Sequence, residues 1–100
     1  MPSFSLPHGQ ITEFCKRWKI TEFSLFGSIL RDDFGPESDV DCLVVFSKDS
    51  EWSLFDIVHM QDELSEIFEG RQIDIVDRHA MRNPFFRHRV LTTREVIYAA

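Results

Sequence analysis

Leu25-Phe26-Gly27-Ser28-Ile29-Leu30-Arg31, then a polar interval, then Glu37-Ser38-Asp39-Val40-Asp41-Cys42-Leu43-Val44 is the stretch from which the fold of this chain is read. The β-formers from Ile20 to Phe26, with Phe23 and Leu25 on one face, predict a strand that Gly27-Ser28 ends. Ile29 to Asp33 holds only a short helical turn before the breaker Gly35-Pro36. Val40 to Phe46 is almost continuously apolar, which predicts a strand buried on both faces. Gly27-Ser28 at the end of the first strand and Asp39 at the head of the second meet only if the two strands run antiparallel. That pairing is the expectation.

The flanking sequence supplies the remaining elements. Ile11, Phe14, Cys15 and Trp18 share one helical face, so a helix is expected from about Pro7 to Trp18. Ser53 reads as an N-cap with Asp56 as the capping-box acid. Behind them Leu54, Ile57, Val58, Leu64, Ile67 and Phe68 form an apolar stripe that Gly70 stops as a C′ glycine. Gln72 to Asp77 predicts a third strand, with Ile73 and Ile75 facing one way and Asp74 and Val76 the other. A helix between the second and third strands allows a parallel crossover. Asn83-Pro84 opens a last helix running to about Leu91, and Glu95 to Ala99 a last strand. The order α-β-α-β-α-β-α-β predicts an α/β (α+β) fold of one domain over residues 1–100, a mixed sheet of about four strands flanked by helices.

Composition agrees. One hundred residues do not divide into two independent cores, and 43% apolar with 28% charged is ordinary for a globular domain. No apolar run approaches the roughly 20 residues that span a bilayer, so no membrane association is expected. Met1-Pro2-Ser3-Phe4 has neither the basic nor the apolar region of a signal peptide, which makes the cytoplasm the expected location. Cys15 and Cys42 make neither a disulfide scaffold nor a zinc site, and the four histidines are scattered. Charge divides unevenly. Residues 1–70 carry 5 Lys and Arg against 14 Asp and Glu, a net of −9; residues 71–100 carry 6 Arg against 3 acids, a net of +3. The overall −6 argues against direct duplex nucleic-acid binding, which depends on phosphate neutralisation.

Three carboxylates stand out. Asp39 and Asp41 are two residues apart, so on a strand they share a face and repel unless a cation lies between them. Two Mg²⁺ ions are the natural neutraliser, because Mg²⁺ takes carboxylate oxygens together with substrate phosphates. Asp74 lies inside an apolar run, where an acid is expected to be partly buried, and completes a three-carboxylate cluster if its strand lies beside the second. Gly27 lets backbone N–H groups approach an anion, the Ser28 hydroxyl adds a donor, and Arg31 places a cation one turn on. Taken singly, the Gly-Ser pair reads as a turn, the Asp pair as a solvated junction, Asp74 as an edge-strand gatekeeper and Arg31 as a surface charge. Together they point to two-metal phosphoryl or nucleotidyl transfer.

These residues, with ten positions between Ser28 and Asp39, resemble the defining motif of the minimal nucleotidyltransferases of the DNA polymerase β superfamily. Gln72-Ile73-Asp74-Ile75-Val76 is similar to that family's third-carboxylate strand, and Asn83-Pro84-Phe85-Phe86 through Val96-Ile97-Tyr98 to its C-terminal segment. Asp32 and Cys42 depart from the Gly and Leu common there. Stand-alone domains of this kind are typically the antitoxin half of HEPN–MNT toxin–antitoxin pairs. The resemblance therefore implies a polymerase β-like fold and transfer of AMP from ATP to a tyrosine of a HEPN-domain ribonuclease toxin, held in a hetero-oligomer. It also implies roles: Asp39 and Asp41 hold both Mg²⁺ ions, Asp74 holds the catalytic one and assists deprotonation, Gly27 and Ser28 grip the β- and γ-phosphates, and Arg31 compensates charge.

Length alone favours a protein acceptor, since so short a chain needs its acceptor to supply much of the binding surface. Phe85, Phe86, Arg87 and Arg89 are candidates for the surface that meets it; the competing reading puts the two phenylalanines in the core and exposes only the arginines. Three other functions stay open: a non-catalytic antitoxin that masks its toxin, a nucleotidyltransferase acting on a small molecule or RNA with a helical partner subunit, and a purely structural domain.

Overall fold

A computed structural model describes residues 6–30 and 38–100. Its elements are α1 (His8–Arg17), β1 (Ile20–Phe26), a 3-10 turn (Gly27–Leu30), β2 (Val40–Phe46), α2 (Leu54–Ile67), β3 (Ile73–Asp77), a second 3-10 turn (Arg78–Ala80), α3 (Pro84–Thr93) and β4 (Glu95–Ala99). The four strands form one sheet in the order β3-β2-β1-β4. β1 runs antiparallel to β2 and to β4, and β2 parallel to β3, so the sheet is mixed. The antiparallel β1–β2 pairing is the one expected, and both strands begin and end where the sequence places them.

Strand alternation sorts the sheet into two faces. Phe23 and Leu25 of β1, Val40, Cys42 and Val44 of β2, and Ile73 of β3 join Ile11, Phe14 and Cys15 of α1 and Met60 and Leu64 of α2 in the main core. Phe14 and Phe23 meet edge to face there, with centroids 6.4 Å apart. Phe26 and Leu43 point to the opposite face, where Val90 of α3 covers them in a smaller cluster. Asp41 and Asp74 alternate onto that second face as well. α3 is thus the helix that shares a face with the carboxylates, and it contributes one buried residue, Val90.

Local chemistry sets the helix ends. The Ser53 hydroxyl accepts from the Asp56 N–H, and the Asp56 carboxylate accepts from the Ser53 N–H at 2.9 Å, a reciprocal capping box. Asn83 Oδ1 accepts from the N–H groups of Phe85 and Phe86 at 3.0 and 3.3 Å, with Pro84 at the first helical position. α2 closes with the Gly70 N–H on the Ser65 carbonyl and the Glu69 N–H on the Glu66 carbonyl. That is a Schellman motif in which Glu69, at φ 60°, takes the C′ position. Gly70 therefore stands one residue beyond the C′ site expected for it.

Three further expectations are corrected. α3 continues to Thr93, two residues past Leu91. In the apolar stripe of α2, Leu64 and Phe68 are buried and Ile57 and Ile67 pack against the core as expected, but Met60 joins them instead of Leu54, 84% exposed, and Val58, also exposed. Asp74 is exposed, because β3 is an edge strand and the face it presents there is open. Of the short turn expected over Ile29 to Asp33, Gly27–Leu30 is seen as 3-10 helix, and the remainder lies outside the described residues.

Candidate active site

The β1–β2 register pairs Phe26 with Asp41, so Gly27 follows directly beside that aspartate. The backbone turns there at φ 76°, a conformation that glycine adopts without steric cost. A Cβ built on Gly27 would overlap Asp41 Oδ2 and stand 3.3 Å from Asp41 Cγ. Only a residue without a side chain brings the turn this close to the carboxylate.

The parallel β2–β3 register then sets Asp41 opposite Asp74. Their common face opens into a cavity of about 620 Å³ lined by Gly27, Asp41 and Asp74, by the apolar side chains of Phe26, Leu30, Val76 and Val90, and by Phe86, Arg89 and Thr93 of α3. Phe86 leans edge-on against Phe26, their centroids 6.1 Å apart. The cavity thus has a carboxylate wall on the sheet and an aromatic and cationic wall on α3. Its size suits a small-molecule ligand.

Of the residues singled out in sequence, the structure gathers Gly27, Asp41 and Asp74 around this cavity. Ser28 lies in the 3-10 turn behind Gly27. Asp39 precedes β2, is exposed, and is not among the residues described as lining the cavity. Arg31 lies outside the described residues. Among those residues no group of three or more His, Cys, Asp and Glu side chains is close enough to hold a metal ion. The donor set that is assembled, two carboxylates side by side with open space before them, fits an ion that fills its remaining positions with water and substrate oxygens, as Mg²⁺ does.

Cys42, between Asp41 and Leu43, faces the main core and is fully buried. Burial pushes its thiol well above the ordinary range, and the charges of Asp41, Asp74 and Cys15 push it the same way. It is a core residue with no access to the thiolate that nucleophilic or metal chemistry needs.

The C-terminal candidates separate. Phe85 is 83% exposed and Phe86 41% exposed, so neither is a core residue. Arg87 is half-buried and donates from Nη1 to the Arg78 carbonyl at 3.0 Å. Phe86 and Arg89, read in sequence as surface for a partner, line the cavity together with Thr93. Their signal was the spacing 86, 89, 90, 93, one face of a helix; reading it as cavity wall required knowing which face of the sheet α3 covers.

The profile of the nucleotidyltransferase domain matches residues 9–97. Two relatives in Methanocaldococcus jannaschii carry the provisional name protein adenylyltransferase. One is 34% identical over 68 residues, covering 68% of this chain and 69% of its own. The other is 29% identical over 72 residues, covering 72% and 70%. Among solved structures, a toxin–antitoxin crystallised with AMP-PNP superposes with a TM-score of 0.75 at 18% identity over 95% of this chain and 75% of that one. A chain provisionally named minimal nucleotidyltransferase superposes with a TM-score of 0.71 at 26% identity over 88% and 86%.

Proposed function

Given that this chain belongs to the nucleotidyltransferase domain family, we propose that it is the antitoxin of a toxin–antitoxin pair and transfers AMP from ATP to a tyrosine hydroxyl of a HEPN-domain toxin, with which it forms a hetero-oligomer. One observation carries the reading: Asp41 and Asp74 are register partners facing one cavity, with the side-chain-free turn at Gly27 against Asp41. The protein acceptor is supported by the relatives named as protein adenylyltransferases and by the fold shared with a toxin–antitoxin complex. The exposed Phe85 fits a partner surface, since large unpartnered aromatics are favoured at interfaces.

In this mechanism Asp41 and Asp74 would hold two Mg²⁺ ions, with Asp39 as a third ligand on the strength of its spacing from Asp41. When bound, the ions neutralise the phosphates and acidify the acceptor hydroxyl. Gly27 lets the phosphate chain approach the backbone, and the N–H groups of the turn that it opens with Ser28 meet the phosphate oxygens. Arg31 is assigned charge compensation by the resemblance alone. The apolar wall of Phe26, Leu30, Val76 and Val90 removes water from around the nucleotide, which strengthens each of these contacts. The tyrosyl oxygen forms a bond to the α-phosphorus as the bond from that phosphorus to the bridging oxygen breaks. Pyrophosphate leaves, and the hydroxyl proton passes to the Asp74 carboxylate. All of these residues fall within residues 9–97, the span that the nucleotidyltransferase domain profile matches.

The intact mass of a HEPN-domain toxin after incubation with this protein, ATP and Mg²⁺ tests the proposal. A gain of one or more adenylyl units on tyrosine, lost with Asp41→Asn or Asp74→Asn, is the expected result. Neutralisation of the toxin without a gain in mass, equally by wild type and by both variants, replaces catalysis with masking.

A further inference from the structure

Arg89 stands apart from the other described arginines. Arg17, Arg78 and Arg94 are held by Glu63, Glu22 and Glu22 respectively, Arg87 by the Arg78 carbonyl, and Arg71 by the Ser38 carbonyl. Arg82 is exposed and does not line the cavity. Arg89 lines the cavity and, among the described residues, its guanidinium makes no ion pair and no side-chain hydrogen bond, although two carboxylate residues line the same space. An arginine and two aspartates that line one cavity with no ion pair between them leave room for a ligand, and a ligand that the guanidinium meets there bears negative charge.

Chemistry narrows the choice. The planar five-donor fork of arginine matches phosphate oxygens in pairs, and such charge-assisted contacts are about twice as strong as neutral ones. A nucleoside offers only neutral groups. The phosphate chain also carries more negative charge than two divalent ions can cancel once Asp41 and Asp74 have each claimed a share, so a further cation lowers the deficit. Among the described lining residues Arg89 is the only one that supplies it. Its place on α3 is fixed by Val90, buried at the next position, and by Phe86, one turn earlier and packed on Phe26.

We propose that Arg89 binds the phosphate chain of the nucleotide from the α3 wall, opposite the turn at Gly27 and the carboxylates on the sheet. The assignment rests on the nucleotidyl-transfer reading and adds to it a second, cationic wall contributed by the C-terminal helix. The pyrophosphate formed in the reaction is then gripped from both sides, with Arg89 meeting the charge that develops as it leaves.

Calorimetric titration of the purified protein with ATP and with adenosine, each in Mg²⁺, tests this directly. Arg89→Gln is expected to raise the dissociation constant for ATP by roughly tenfold, the loss of one charge-assisted contact. It is expected to leave that for adenosine unchanged and to flatten the dependence of ATP binding on salt. Arg82→Gln is expected to change none of these. Arg89 is exposed and unpaired, so the variant is expected to melt with the wild type. ATP binding that Arg89→Gln leaves unchanged, or weakening of ATP and adenosine alike, overturns the assignment of Arg89 while the transfer reading stands. Failure of the wild-type chain to bind ATP overturns both.

Discussion

The carboxylate of Asp41 fills the space in which a side chain on Gly27 would begin, so the first residue of the turn after β1 and the second residue of β2 lie against each other with nothing of Gly27 between them beyond its backbone. Gly27→Ala meets two penalties at once. A positive φ costs an L-residue about 1–2 kcal/mol, and the new methyl displaces the carboxylate. Urea unfolding is expected to show at least that loss, and AMP transfer to fall on the order of 100-fold, because a shift of about an ångström in a reacting group costs that much. Gly9→Ala is the control: among the described residues nothing lies within 4 Å of its Cβ, and it sits in α1. That change is expected to stabilise the fold by about 0.5–1 kcal/mol.

The two thiols make the fold sensitive to alkali. Burial pushes Cys15 from its ordinary value of 9.0 up to about 12, and pushes Cys42 well above the same ordinary value. Above pH 9 the unfolded chain gives up these protons while the folded chain keeps them, so unfolding is favoured as pH rises. Cys15 is expected to lower stability by about 1 kcal/mol per pH unit from pH 9 towards pH 12, and Cys42 to act in the same direction. Denaturant titrations across that range check the slope. A thiol reagent at pH 8 is expected to label neither cysteine until denaturant is added.

Glu69 holds the left-handed position that ends α2, at φ 60°, with no side-chain bond among the described residues to offset the cost. Glu69→Gly removes that cost. It is expected to raise stability by about 0.5–1 kcal/mol, read as a higher melting temperature, with AMP transfer unchanged.

The two sides of α2 are expected to respond oppositely. Met60→Ala empties a site in the main core and is expected to cost about 2–5 kcal/mol. Leu54→Gln, at a position 84% exposed, is expected to stay within about 0.5 kcal/mol of wild type. Chemical denaturation of the two variants side by side checks the assignment of the buried face.

Much of this was legible in the residues, and the exceptions have physical causes. β1 and β2 were read to the residue because strong β-formers meet hard stops on both sides, Gly27 after one and Ser47 after the other. The facing of Asp41 and Asp74 followed from alternation once the strands were neighbours. α2 is marked by its capping box, and Ile57, Leu64, Ile67 and Phe68 of its stripe meet the core as expected, but Leu54 and Val58 do not. Leu54 and Val58 lie about 90–130° around the helix from the centre of the buried residues, and apolar composition does not distinguish a core stripe from an uncovered flank. Asp74 was expected to be sheltered by its apolar neighbours in sequence, but those neighbours face the other side of an edge strand. The α3 wall was hardest. With Val90 as its one buried residue, that helix has too little amphipathic contrast to announce which face it turns to the sheet.

That thin attachment has a consequence for how the molecule opens. β1 and β2 are central strands with partners on both sides, whereas α3 is anchored to the sheet by Val90, by the contact of Phe86 with Phe26, and at its end by the pairing of Arg94 with Glu22 at 3.6 Å. Amide protons of β1 and β2 are therefore expected to exchange with deuterium only through global unfolding. Those of α3 exchange through a separate, low-energy opening. A nucleotide bridging the two walls has to close that opening. The last helix then becomes the part of the fold in which occupancy is written, and deuterium uptake by Pro84–Thr93 the means of reading it without turnover.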